Sequence, residues 1–132
     1  MATEPEAPSS TDNWNVPTIV EIDAKREQLD LSKREFSKIV GYSCGTGYHG
    51  AVRQNSMGYE KIRTAVQHFR DAGVVNYRAP TMDEIVNAID RRGIAQTHFS
   101  EAIGYSSASA FGNAETNGQM EVKHYRAAVE AL

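Results

Sequence analysis

The chain has 132 residues, 40% of them hydrophobic and 23% charged, an ordinary balance for one folded domain or two very small ones. The formal net charge is −3, which provides no overall basic footprint, so nucleic-acid binding would require cations concentrated in one part of the chain. One cysteine excludes an internal disulfide and points to a reducing cytoplasm. No apolar run approaches the roughly 18 residues of a membrane span, and the first residues lack the basic-then-apolar layout of a secretory signal.

Residues 1–15, MATEPEAPSSTDNWN, hold two prolines and three acids with a single aromatic, and are expected to form a disordered tail. Trp14 within it either packs on the first helix or stays loose. Thr18-x-x-Glu21 is a capping box directly after Pro17 and opens a helix with Ile19 and Ile22 inward and Leu29 at its end. Ser32-x-x-Glu35 opens a second, short helix with Phe36, Ile39 and Val40 inward, stopped by Gly41. A third helix is expected to start with Thr46 as its N-cap and to turn Tyr48, Ala51 and Val52 inward. A fourth carries Ile62, Ala65, Val66 and Phe69 on one face.

The chain then repeats itself at an offset of 63 residues. Pro17-Thr18 returns as Pro80-Thr81, Glu21-Ile22 as Glu84-Ile85, Phe36-Ser37 as Phe99-Ser100 and Gly41-Tyr42-Ser43 as Gly104-Tyr105-Ser106. Ala51, Met57, Arg63, Ala65 and Val66 return as Ala114, Met120, Arg126, Ala128 and Val129, and no gap is needed from Pro17 to Leu132. About a quarter of the paired positions are identical. Two copies are too few for a solenoid, so the expected fold class is all-α, two tandem four-helix bundles over residues 16–72 and 81–132 joined by a linker at 73–80. The offset implies one fold in both copies, with Gly41 and Gly104 at equivalent turns. The second copy starts at the Thr81-x-x-Glu84 capping box with the stripe Met82, Ile85, Val86, Ile89, and its third helix starts with Ser109 as N-cap.

Gly41-Tyr42-Ser43-Cys44-Gly45 fits G-x-S-x-G, the pattern of a hydrolase nucleophile elbow. Such an elbow needs a strand before the serine, whereas a helix precedes Ser43, and the second copy loses the last glycine. The stretch is therefore read as a turn between helices. Cys44 with His49 offers two metal ligands and no third, so no metal or other cofactor is expected. No carboxylate pair or triad points to an enzyme.

A short helix, a Gly-x-Ser turn and a second short helix, carried by LSKREFSKIVGYS (31–43) and IAQTHFSEAIGYS (94–106), resemble the Cro and phage-repressor type of helix-turn-helix. The resemblance covers residues 18–69 and 81–132. It departs from the family in three ways: the third helix starts one residue late, Ser37 and Ser100 stand where the family favours alanine, and the fifth helix is missing. It implies a DNA-binding transcription regulator, a small repressor occupying an operator on double-stranded DNA. Ser32, Lys33 and Gln96 would contact phosphates. The outward face of the third helix would present Gly47, His49, Gly50, Arg53 and Gln54 in one copy and Ala110, Gly112, Asn113, Thr116 and Asn117 in the other. Arginine reads guanine and Asn or Gln reads adenine. Three glycines, Gly45, Gly47 and Gly50, either weaken the third helix of copy one or let its backbone approach DNA.

Residues 18–69 hold eight Lys/Arg against six Asp/Glu, while residues 81–132 hold four against seven. Affinity for DNA comes largely from cations at phosphates, so copy one, with Lys33, Arg34, Lys38, Arg53, Lys61 and Arg63, is the expected DNA module. The acidic second copy stands open to another role, as the contact to a second chain or to another protein. That makes an adaptor or antirepressor the alternative function. Tyr42 and Tyr105 are read as packing on a neighbouring helix, Tyr48 and Phe111 as core, and His49 and His68 as exposed helix positions.

Overall fold

The computed structural model describes residues 13–117 and 119–132. The first twelve residues of the polar N-terminal segment therefore lie outside the described residues. Among those described, the fold is all-α: eight helices, α1 (Ile19–Gln28), α2 (Lys33–Ile39), α3 (Gly47–Gln54), α4 (Tyr59–Asp71), α5 (Met82–Arg91), α6 (Gln96–Ala102), α7 (Ala110–Asn117) and α8 (Val122–Ala131). The starts of α5 to α8 each lie 63 residues after those of α1 to α4.

Local chemistry sets these boundaries. Thr18, Ser32 and Thr81 form complete capping boxes with Glu21, Glu35 and Glu84, each hydroxyl accepting from the glutamate N–H while the carboxylate accepts from the cap's own N–H. α2 and α6 end alike. Gly41 and Gly104 sit at φ +100° and +101°, where a side chain would be strained, and Tyr42 and Tyr105 donate their N–H back to the Ser37 and Ser100 carbonyls.

α2 packs on α3, α6 on α7 and α4 on α8. Phe36, Tyr48 and Phe69 meet at the centre of the first half, with Phe36 edge-on to Tyr48 at 4.8 Å and stacked on Phe69 at 5.6 Å. Phe99 and Phe111 do the same work in the second half at 5.2 Å. The buried apolar residues of both halves join in one connected cluster. Residues 73–80, expected as a linker, contribute Ala79 to that cluster, and Val74, Val75 and Tyr77 pack against it.

Trp14, expected either to pack on the first helix or to stay loose, is buried: Asn13–Asn15 pair with Arg78 and the Arg78 guanidinium lies 5.9 Å from the indole ring. Thr46 departs from expectation: it precedes α3 but gives it no side-chain cap, and its hydroxyl instead lies 3.3 Å from Cys44 Sγ.

Candidate nucleic-acid interface

The surface formed by α2, the following turn and α3 is held from beneath by one hydroxyl. Ser37 is fully buried, donates to the Cys44 carbonyl at 2.7 Å and accepts from the Tyr48 N–H at 3.1 Å. It thereby fastens the turn and satisfies an otherwise orphan N–H in the first turn of α3. Ser100 makes the same pair, to the Ser107 carbonyl and from the Phe111 N–H, at 2.7 and 3.0 Å. Alanine, which the resemblance favours here, would leave both backbone groups without that partner. The repeated serine at an inward position was the available signal.

Below α3 lies a second polar element, in the first half only. Tyr48 donates its hydroxyl to Asp23 Oδ1 at 2.8 Å, and Arg26, itself buried, donates to the same oxygen at 2.8 Å. The Arg26 hydrogen bond holds the Asp23 carboxyl below its usual range, with smaller help from Tyr48 and the Lys33 charge, against the opposing effect of burial. Burial and the Asp23 carboxylate push the Tyr48 phenol far above its own. This network ties α1 to α3 and sets the orientation of α3. The i, i+3 pair Asp23/Arg26 was visible on the helix; its partner across 25 residues was not.

The structure places the expected contact residues as follows. Ser32 caps α2 and is exposed, its oxygen accepting from Glu35. Lys33 is half-buried, with its charge acting on Asp23. His49, Arg53 and Gln54 are exposed along α3, while Tyr48 and Ala51 face the core. The glycines divide. A Cβ on Gly47 would lie 2.6 to 2.7 Å from the Tyr42 side chain, and one on Gly45 2.9 Å from Arg34 Cγ, whereas Gly50 has open space. Gly47 and Gly45 thus serve internal packing. Tyr42 lies against α4, under the Lys61 ammonium at 5.0 Å. Tyr42, Gly47, Gly50, Gln54, Met57 and Lys61 line an open depression of about 410 Å³ beside α3.

In the second half Asn113, Thr116 and Asn117 are exposed on α7, and Gln96 is half-buried with its amide oxygen 4.0 Å from where a Cβ on Gly112 would stand. His124 stacks on Tyr105 at 3.8 Å, in the position of Lys61 over Tyr42, and burial holds the imidazole below its ordinary pKa. Tyr105 and His124, with Ala114, Gln119, Met120 and Glu121, line a depression of about 300 Å³.

The cations separate the two faces. Lys33, Arg34, Lys38, Arg53 and Lys61 are matched, 63 residues on, by Gln96, Thr97, Glu101, Thr116 and His124. Arg63, counted by sequence among the DNA cations, donates to the Ala79 carbonyl at 3.4 Å; it recurs as Arg126, which donates to the Val16 carbonyl at 3.0 Å. Cys44 is exposed, with its thiol drawn below its ordinary pKa by Thr46. Among the described residues no three His, Cys, Asp or Glu side chains group as metal ligands, and no helix is long and apolar enough to cross a membrane. Comparison with protein-family models, with curated proteins and with solved structures returns no match for this chain.

Proposed function

We propose that the chain binds double-stranded DNA through its first half and acts as a small transcription regulator occupying an operator, with no chemical step. The observation that carries this reading is the one-sided loss of charge: five cations on or beside α2 and α3 have no cationic equivalent around α6 and α7. Arg63 and Arg126, which donate to backbone carbonyls, recur in both halves, and the one-sided structural cation Arg26 is buried against Asp23 and is not among the five. Ser32 and Lys33 would hold phosphates, Arg53 would read guanine, and His49 and Gln54 would share the face of α3. The poor cation content of α6 and α7 favours a weaker DNA contact there, or a protein contact through Gln96, Asn113, Thr116 and Asn117.

Fluorescence anisotropy on duplex DNA at two salt concentrations tests the assignment. Lys33→Ala is expected to weaken binding to all sequences alike and to reduce the salt slope by about one, as loss of a phosphate contact does. Arg53→Ala is expected to cost about 1–3 kcal/mol and to relax preference at one base. Asn113→Ala and Asn117→Ala should matter less. Silence at Lys33 and Arg53 with loss at the two asparagines would move the reading surface to α7.

A further inference from the structure

Two sets of contacts between the two halves are reciprocal. Gly58 and Glu121, which occupy equivalent positions, face each other in an antiparallel bridge, with Tyr59 N–H donating to the Met120 carbonyl at 2.8 Å. Arg63 to Ala79 and Arg126 to Val16 are one contact with the halves exchanged. The segments entering α1 and α5 also meet, but this contact is not reciprocal: the pairing is parallel, with the Asn15 N–H donating to the Arg78 carbonyl at 3.0 Å and the Arg78 N–H to the Asn13 carbonyl at 2.8 Å. A head-to-tail join would bring together unlike positions. In an isologous two-fold interface a residue meets its own equivalent on the axis and each other contact occurs twice. The Gly58/Glu121 bridge and the exchanged Arg63 and Arg126 contacts follow the second pattern.

The loops on either side of that axis are the ones that leave α3 and α7, through Met57 and Met120, so both outward helices end beside it. The two surfaces are nevertheless unlike: His49, Arg53 and Gln54 are matched by Gly112, Thr116 and Asn117. A symmetric homodimer reads a palindrome; this pair has no reason to. Resting on the DNA-binding reading above, we propose that the chain is a covalently continuous pseudo-dimer whose single copy occupies a bipartite, non-palindromic double-stranded DNA site. α3 reads bases in one half-site. The second half holds the neighbouring half-site with little base preference, gaining from the high effective concentration that linkage confers.

The test has two arms. Gly58→Cys and Glu121→Cys are combined on a Cys44→Ser background; facing residues of an antiparallel pair have Cα atoms about 4.5–5.5 Å apart, inside disulfide range, and Gly58 has open space for a Cβ. Oxidation is expected to link the two within one chain and to leave affinity for a random-sequence duplex pool within about twofold of the reduced form, since binding does not require the halves to part. Native mass spectrometry of the unmodified chain on duplexes of about 30 base pairs selected from that pool, long enough for two half-sites one helical turn apart, is expected to show one chain per duplex and a non-palindromic motif. Disulfide-linked pairs of chains, or two chains on a palindrome, overturn the proposal while leaving DNA binding intact. Failure to retain any duplex while the intrachain disulfide still forms removes the DNA reading itself, and the bipartite site with it.

Discussion

Asp23, Arg26 and Tyr48 in the first half stand where the second half has Val86, Ile89 and Phe111. Three positions that hold α1 against α3 by an ion pair and a phenol hydrogen bond are apolar on α5 and α7, Ile89 and Phe111 fully buried and Val86 partly so. The helices keep their boundaries in both cases. Placement of the elements is thus set by which positions face inward, and the chemistry at those positions is free to differ. A buried pair and a hydrophobic replacement of similar volume are often close in stability, while half a pair is costly.

The largest effect that would sharpen this comparison comes from removing Asp23, which leaves the buried Arg26 with the Leu31 carbonyl and Glu27 as partners. Asp23→Ala is expected to lower unfolding stability by about 3 kcal/mol, at the low end for a buried pair because the Asp23 side chain keeps 24% exposure; the combined change Asp23→Val, Arg26→Ile, Tyr48→Phe should recover most of that in a urea titration. A triple variant no better than the single one would show that the two interiors are not interchangeable. Ser37→Ala and Ser100→Ala come next, each costing about 1–3 kcal/mol for the unsatisfied backbone groups; a large difference between the two would break the equivalence of the turns. Tyr48→Phe alone, which copies Phe111, should cost about 1 kcal/mol.

The comparison also carries a pH signature. Asp23 has a folded pKa below its unfolded value, so its stabilisation is present above about pH 4, the usual aspartate range, and is lost as pH falls through the lower folded value. Acid unfolding followed by circular dichroism is expected to be shallower below pH 4 in the triple variant than in the wild type. An unchanged acid limb would mean that other carboxylates, such as Glu84 beside Arg78, dominate it. The smallest effect is expected on the outer faces. Gln96→Lys with Thr116→Arg, which copies Lys33 and Arg53 into the second half, should raise DNA affinity several-fold at low salt and leave stability within about 0.5 kcal/mol.

What the sequence disclosed follows the range of each interaction. The three capping boxes act over three residues and were legible as spelled, as were the turn glycines Gly41 and Gly104 and the inward stripes. Tyr48 and Phe111 were placed in the core by spacing alone, and both are fully buried. The polar network was not legible, because Asp23 meets Tyr48 only after α1 has folded back over α3. Burial of Trp14 depends on Arg78, 64 positions away. Thr46 fits the composition of a cap, yet its backbone is already helical, at φ −104° and ψ −2°, and its hydroxyl turns to Cys44. For the outward residues His49, Arg53 and Gln54, spacing on α3 gave the exposure that the structure shows.

The Tyr42 ring over Gly47 limits how the first half can change. Any side chain at position 47 would collide with it, while Gly50, three residues on, has nothing within 4 Å of a new Cβ. New side chains on α3 can therefore be added at position 50 or exchanged at His49, Arg53 and Gln54, but the start of the helix is closed to variation unless Tyr42 changes first. In α7 the place of Gly47 is held by Ala110, so a side chain is already tolerated there. The half with the richer charge has the narrower alphabet, and the half now poor in contacts has more room to acquire a preference.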